Sequence, residues 1–377
     1  MAMDADFLIV GAGIAGAGLA YRLAPHGRVV ILDMEEQAGY HTTGRSAAFY
    51  AETYGGPKLQ PLTTASKVFL TCPPEGFADA PLITKLGAVH VFREPQRKQA
   101  EAMFREMQAA LPGVALLDEE ALLERAPHVS KGGFKGAIDD PDCGNLDVAA
   151  LHQGYLRASK KAGVEVLLAA GLEAAVHDGT LWHVKTRTGQ VKARILINCA
   201  GAWADDIARR SGVSPLGLKP LRRTIITIPK PCDQPFDRHG PVVIDIDEAF
   251  YFKPEGEGYL VSPADETESR ACDAQPELED VAIAASRFEE ATGAVVEKID
   301  AKWAGLRTFA PDKAPVIGFD ADQPAFFWNV GQGGYGIQTS PAWSELAAAL
   351  VQKGDLPASL VEHGVKASLY APARFKR

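Results

Sequence analysis

The run Gly11-Ala12-Gly13-Ile14-Ala15-Gly16 has the spacing G-x-G-x-x-G, and the chemistry of that spacing is the holding of a pyrophosphate. The first glycine permits a tight turn, the second lets backbone approach phosphate oxygens, and the third lets a helix pack on a strand. A helix starting here offers free amides and positive partial charge to an anion. Asp33 follows about twenty residues later, where a carboxylate can accept from ribose hydroxyls. The motif also requires flanking elements, and the sequence supplies them. Phe7 to Val10 (FLIV) and Val29 to Leu32 (VVIL) read as buried strands, and Ile14 to Leu23 reads as a helix between them. A dinucleotide site is therefore expected, and a merely structural glycine turn would not require the second strand and the acid.

Two further glycine-bearing helix starts stand out. Gly39-Tyr40-His41-Thr42-Thr43-Gly44-Arg45-Ser46-Ala47-Ala48 lies directly after the second strand, and Gly331-Gln332-Gly333-Gly334-Tyr335-Gly336 follows an apolar strand at Trp328 to Val330 and precedes a helix through Leu350. Glycine is in excess overall, 36 of 377 residues where about 7% is usual, and it has no repeating period. Close approach of backbone to a bound object is the expectation.

Composition excludes several alternatives. A formal charge of −9 gives no electrostatic footprint for nucleic acid or an anionic membrane. Five widely spaced cysteines with no CxxC pair predict neither a disulfide framework nor a zinc site, and the nine histidines form no HxH or HExxH pattern. No metal is expected. The stretch MAMDADFLIV lacks a basic region and a cleavage site, and no apolar run is long enough to span a bilayer. A reducing cytoplasm is the expected location. A chain of this length buries about three quarters of its unfolded surface and is expected to form two domains.

Periodicity predicts helices at Leu59 to Leu70, Arg97 to Leu111, Glu119 to Arg125 with Asp118 as N-cap, Asp147 to Ala162, Trp203 to Ser211 and Gln275 to Gly293. Strands are expected at Val164 to Leu168 and Ile195 to Asn198, with a hairpin turning at Arg187-Thr188-Gly189. From Pro215 to about Pro263 prolines are frequent, and the strands Thr224 to Ile228, Val242 to Ile246 and Phe250 to Lys253 suggest a more antiparallel sheet. The fold class is α/β. A discontinuous Rossmann-like domain is expected from residues 1–80, 143–214 and 308–377, and a second, mostly antiparallel α+β substrate domain from 81–142 and 215–307.

Three blocks, VGAGIAGAGLAYRLA with ILD, TTGRSAA and GQGGYGIQTS, resemble the FAD-dependent amine oxidoreductases of the D-amino-acid oxidase, glycine oxidase and sarcosine oxidase superfamily. LHQGYLR, NCAGAWADDIA, LRRT, DEAFYFKP and WAGLRTF extend the likeness over essentially the whole chain, in the direction of the bacterial D-arginine dehydrogenases. The resemblance implies an FAD contacted by Gly11, Gly13, Ile14, Ala15, Gly16, Asp33 and Met34. It further implies Thr42, Thr43, Gly44, Arg45, Ser46, Ala47 and Ala48 around the pyrophosphate and ring edge. Leu172 would touch the adenine through its backbone, and Gly201 would be a further cofactor contact. Gln332, Gly333, Gly334, Tyr335, Gly336, Ile337, Gln338 and Thr339 would lie at the pyrimidine end, where amides and helix dipole stabilise negative charge. Sarcosine-oxidase-like members tether the flavin through a late cysteine; here Cys272 is the last, so non-covalent FAD is expected.

On the substrate side the resemblance implies that Arg307 binds a carboxylate, a role its planar fork suits. Arg222 and Tyr251 would assist it, Gly305 and Gly334 would lie near the amine, and Tyr54 would sit on a loop over the site. Two positions depart from the D-arginine enzymes: Phe49 replaces a histidine, and Ala88 stands for the glutamate that pairs a guanidinium, with His90 nearby as an alternative side-chain contact. A desolvated cation left without that acid is costly. The expected activity is thus oxidative deamination of apolar or aromatic D-amino acids to 2-oxo acids and ammonia, within amino acid catabolism. Oxidation of a secondary amine or glycine, an NAD-dependent dehydrogenase and a flavin-bearing protein without turnover stay open, as do oxygen and a quinone as electron acceptors.

Overall fold

The computed structural model describes residues 3–232 and 235–375. The first two residues of the N-terminal stretch, and the outermost ends of the expected first domain, lie outside the described residues.

Phe7–Val10 is apolar at every position because it is covered on both sides. Phe7 and Ile9 point into one core and Leu8 and Val10 into another. The strand Met3–Val10 sits inside an eight-stranded sheet, parallel to Val29–Leu32 on one side and to Gly189–Asn198 on the other. Glu165–Leu167 continues it beyond Val29–Leu32. Phe326–Val330 lies parallel to the far half of Gly189–Asn198, and the predicted hairpin Trp182–Thr186 pairs antiparallel with its near half. The helices Ile14–Leu23, Val148–Lys161 and Ser340–Val351 cover one face, with Leu19, Tyr155 and Trp343 among the fully buried residues there. Each fully buried leucine or isoleucine in such a core contributes roughly 1.5–3 kcal/mol.

Local chemistry sets the helix starts. Asp147 Oδ1 accepts the Ala150 amide at 2.8 Å, and Asp118 Oδ1 accepts the Ala121 amide at 2.9 Å.

The second sheet has nine strands, in the order Thr267–Glu268, Lys219–Pro229, Gly258–Ser262, Tyr251–Glu255, Val242–Asp245, Ala88–Phe92, Gly136–Asp140 and Ala115–Asp118, with Ala301–Phe309 also on Lys219–Pro229. It is antiparallel except where Val242–Asp245 runs parallel to Ala88–Phe92. Register fixes its two faces. Val89, Val243, Phe252, Val261 and Ile226 pack against Val281, Ala284 and Phe288 of the helix Leu278–Thr292. The opposite face carries Ala88, Ile244, Tyr251, Ile225, Arg223, Gly305 and Arg307, and it is turned toward the first sheet. No helix among the described residues is long and apolar enough to cross a membrane.

Candidate active site

A cleft of about 460 Å³ runs between the carboxyl ends of the parallel strands and this inner face. Such strand ends are where open α/β sheets bind ligands. At one end Gly11, Gly13, Ile14 and Ala15 line it with Asp33 and Met34. Gly11 has φ +107°, and a Cβ there would lie 2.5 Å from the Cys199 carbonyl oxygen, so only glycine makes this turn. Asp33 does more than face the cleft. Its Oδ2 accepts the Ala12 amide at 2.6 Å and its Oδ1 the Glu35 amide at 2.9 Å, so it also ties the glycine loop to the next strand. Burial raises its carboxyl above the ordinary value against the lowering effect of those two amides. Gly16 does not line the cleft, because it packs against Gly11 and Ile9.

Thr43 Oγ1 accepts the Ile14 amide at 3.0 Å, which joins the second polar segment to the first turn of the helix. Thr42, Thr43, Arg45, Ser46, Ala47 and Ala48 line the cleft, whereas Gly44 is spent on a turn, its amide donating to Gly39. Arg45 braces the two sheets. Its guanidinium donates to the carbonyls of Ala274 and Ala304 and pairs with Asp273, while Thr42 Oγ1 donates to Leu306 O at 2.7 Å. From the last glycine cluster Gln332, Gly333, Gly334, Gly336, Ile337 and Gln338 reach the cleft. Tyr335 and Thr339 stand behind it. Tyr335 packs on Tyr54 with ring centroids 4.8 Å apart, and Thr339 Oγ1 donates back to Tyr335 O. A Cβ on Gly334 would lie 3.0 Å from Arg307 Nη1 and 3.1 Å from the Tyr54 hydroxyl, so the missing side chain keeps the cleft open there.

Arg307 donates from Nη1 to the Tyr54 hydroxyl at 3.1 Å and has no carboxylate partner among the described residues. Burial opposes its charge, but the phenols of Tyr54, Tyr251 and Tyr335 outweigh it, and the guanidinium is held above its ordinary value. Phe49, Tyr54, Tyr251 and Ile225 form an apolar wall, with Phe49 6.0 Å from the ring of Tyr54 and 6.0 Å from that of Tyr251. Gly305 lines the cleft beside them.

On the substrate side, three positions lie away from the cleft. Arg222 does not reach the cleft. It pairs across the strands with Leu306, on the outer face, and its guanidinium is held by Glu277 and by Asp280 at 3.0 Å. Its neighbour Arg223 pairs with Gly305 on the inner face and lines the cleft, donating to Asp265 O at 2.9 Å and lying 3.3 Å from Glu266. Strand alternation makes the choice. Ala88 is fully buried within the sheet and does not line the cleft, and neither does His90, a buried imidazole pushed down to about 4 by loss of solvent. Replacing Arg223 with methionine should lower kcat/KM for the substrate of this cleft by about tenfold, a loss of about 1.4 kcal/mol, and Arg222→Met should stay within about threefold on the same scale. Steady-state kinetics on both variants checks the assignment.

Leu172 and Gly201 line the far end, and Arg210 donates to Leu172 O at 2.9 Å. Sequence reasoning missed Arg210, Arg187, His41 and Trp203 there. His41 sits 3.0 Å from Glu35 and 4.5 Å, centroid to centroid, from Trp203. An aromatic residue directly after the Gly201 turn was the available signal for Trp203. Cys199 also lines the cleft; burial pushes its thiol up to about 12, so it is an unreactive wall rather than a nucleophile. Cys272 does not line the cleft.

A glycine-cradled dinucleotide end running into an arginine-and-aromatic end defines a nucleotide-dependent oxidoreductase. The chain belongs to the family of FAD dependent oxidoreductases, which matches residues 6–350, and its cofactor is FAD. It is 22% identical to the glycine oxidase of Bacillus subtilis (strain 168), covering 93% of this chain and 94% of that one. It is 25% identical to a D-amino acid dehydrogenase of Agrobacterium fabrum, over 76% of this chain and 68% of the relative. Mitochondrial dimethylglycine dehydrogenase of Rattus norvegicus is 22% identical over 95% of this chain, and the chain spans 44% of that protein's length. In three dimensions the chain is similar to the glycine oxidase of Geobacillus kaustophilus, with TM-score 0.83, 20% identity and coverage of 97% and 99% of the two chains. The likeness in three dimensions establishes the fold, and the family match establishes an FAD-dependent oxidoreductase.

Proposed function

We propose that this protein oxidises the Cα–N bond of D-amino acids with apolar or aromatic side chains, releasing 2-oxo acids and ammonia. One observation carries the reading: Arg307 is a cation in the cleft wall, without an acid among the described residues, beside an apolar aromatic box. Such a cation lacks an anion, and a substrate carboxylate supplies one. Arg307 and Arg223 hold the carboxylate, the Tyr54 hydroxyl steadies it, and the backbone of Gly305 and Gly334 orients the amine. When bound, without a covalent tether, FAD supplies the hydride acceptor. A neutral amine needs no strong base: its lone pair forms the C=N bond as the Cα hydrogen leaves with its electron pair, and one nitrogen proton goes to water. Hydrolysis of the imino acid then gives the 2-oxo acid and ammonia.

In this reading the eight-stranded sheet, with residues 1–80, 143–214 and 308–377, is the cofactor domain, and 81–142 with 215–307 is the substrate domain. All five cysteines are free, which fits a role in amino acid catabolism in a reducing cytoplasm. A second reading, oxidation of glycine or a secondary amine, is supported by the bulk of Phe49 and Ile225 in the cleft wall, which leaves less room for a side chain.

The test is anaerobic bleaching of the yellow protein by the D and L forms of Leu, Met, Phe and Arg, with glycine and sarcosine alongside, followed by air. D-Leu, D-Met or D-Phe should bleach it faster than D-Arg. A strong preference for D-Arg or for L forms defeats the first reading, and bleaching by sarcosine or glycine alone establishes the second. Rapid return of colour in air assigns oxygen as acceptor; a colour restored only by an added quinone assigns a quinone.

A further inference from the structure

We propose that Asp140, acting through Thr53, is a positioning residue that holds Tyr54 over Arg307. The inference rests on the reading of Arg307 and Tyr54 as the carboxylate-binding pair. Residues 51–59 link the strand Phe49–Tyr50 to the helix Gln60–Thr71, and four consecutive residues of this link are tethered. The Ala51 amide donates to Gln338 Oε1 at 3.1 Å, and Glu52 accepts from Thr64 and from Lys67 Nζ at 2.9 Å. Thr53 Oγ1 donates to Asp140 Oδ2 at 2.8 Å, and the Tyr54 hydroxyl accepts from Arg307. Gly55 and Gly56 follow with φ +101° and +67°, so the next two residues add no side-chain anchor. Thr53 is the last tether before the tyrosine.

The acid that receives Thr53 is placed for that purpose. Asp140 ends the strand Gly136–Asp140 only 3% exposed, and no salt-bridging cation compensates it among the described residues. Its two oxygens are taken by Thr53 and by the Asp142 amide at 3.1 Å. Ala88 lies directly across the strands from it, and Ala88 is small. His90, on the same strand as Ala88, places Nε2 3.5 Å from Thr53 Oγ1. A hydroxyl has one proton, and here Asp140 receives it, so toward His90 the oxygen can only accept. Thr53 is thereby fixed from two sides by buried groups of the antiparallel sheet, the sheet that also carries Arg307. Tyr54, one residue later, inherits that placement. Releasing Thr53 therefore loosens the phenol at the rim of the carboxylate site without touching the reacting atoms.

The experiment compares holoenzymes carrying Thr53→Val, which keeps the shape and removes the donor, Thr53→Ser, which keeps the hydroxyl, and Tyr54→Phe. Thr53→Val should raise KM for the best amino acid by about tenfold, the loss expected for one hydrogen bond, with kcat unchanged within about twofold on the same scale. Thr53→Ser should restore KM, and adding Thr53→Val to Tyr54→Phe should change nothing further, because both remove one linked element. Amide hydrogen exchange over 51–59 should quicken in Thr53→Val alone. An unchanged KM, or effects of Thr53→Val and Tyr54→Phe that multiply, overturns the proposal. Should Thr53→Val not fold, Thr53→Ala, which also removes the donor to Asp140, must raise KM by about tenfold; an unchanged KM there overturns it instead. Failure of the underlying reading looks different: Arg307→Met would leave KM unchanged while Thr53→Val still quickened exchange over 51–59.

Discussion

Arg307→Met should reduce kcat/KM for amino acids by about a hundredfold or more and leave a folded, yellow protein. Truncating one partner of a buried, hydrogen-bonded charge pair costs about 2–5 kcal/mol, and each 1.4 kcal/mol is tenfold. The distinguishing sign lies in stability. In the free protein Arg307 has the Tyr54 hydroxyl but no carboxylate among the described residues, so removing its charge strands no buried acid there. Methionine preserves much of the packed volume, and the melting temperature should not fall. Arg307→Lys should recover only part of the loss, since an ammonium cannot present two parallel donors to one carboxylate. Kinetics paired with thermal melting checks both halves. Undiminished kcat/KM in Arg307→Met would remove the proposed carboxylate site.

Gly13→Ala and Gly16→Ala, three residues apart in one motif, should fail in opposite ways. A Cβ on Gly16 would lie 1.8 Å from the Gly11 carbonyl oxygen and 3.1 Å from Ile9 Cγ2. The helix cannot then rest on its strand, and this variant should be insoluble. Gly13 has φ −72°, which any residue adopts, and a Cβ there meets only Thr43 Oγ1 at 3.1 Å. The alanine variant should fold, but its methyl group stands in the wall of the cleft. Overpacking of this kind costs about 1–3 kcal/mol, or roughly 5- to 150-fold in FAD affinity. Titration of the apoprotein with FAD, followed by loss of free-flavin fluorescence, measures it. Wild-type affinity in Gly13→Ala would mean that the phosphates do not pass there.

The cofactor half was readable from the sequence because its information is local. One turn of chain carries Gly11, Gly13 and Gly16, and Asp147 sits three residues before the amide it satisfies. The substrate half depends on pairing between distant strands. LRRT offers two arginines, and only the register of Lys219–Pro229 against Ala301–Phe309 shows that Arg223 faces inward and Arg222 outward. Ala88 and His90 were placed near the substrate from likeness alone, but the strand Ala88–Phe92 lies between Val242–Asp245 and Gly136–Asp140 and is closed off from the cleft. Asp140 gave no signal, because its partner Thr53 lies far away in sequence and the contact exists only once the sheet has formed.

The position of Phe326–Val330 bears on how the protein is made. That strand pairs with Leu196–Asn198, so the sheet that carries the cofactor site borrows its last parallel member from a segment translated more than a hundred residues later. At about 5–20 residues per second, the ribosome leaves the edge of Leu196 and Ile197 uncovered for on the order of ten seconds. During that interval the nascent chain has its first glycine loop but neither the final glycine cluster nor the Trp343 helix that covers the sheet. The cleft is therefore complete only once residues 332–338, which line its last side, have been made.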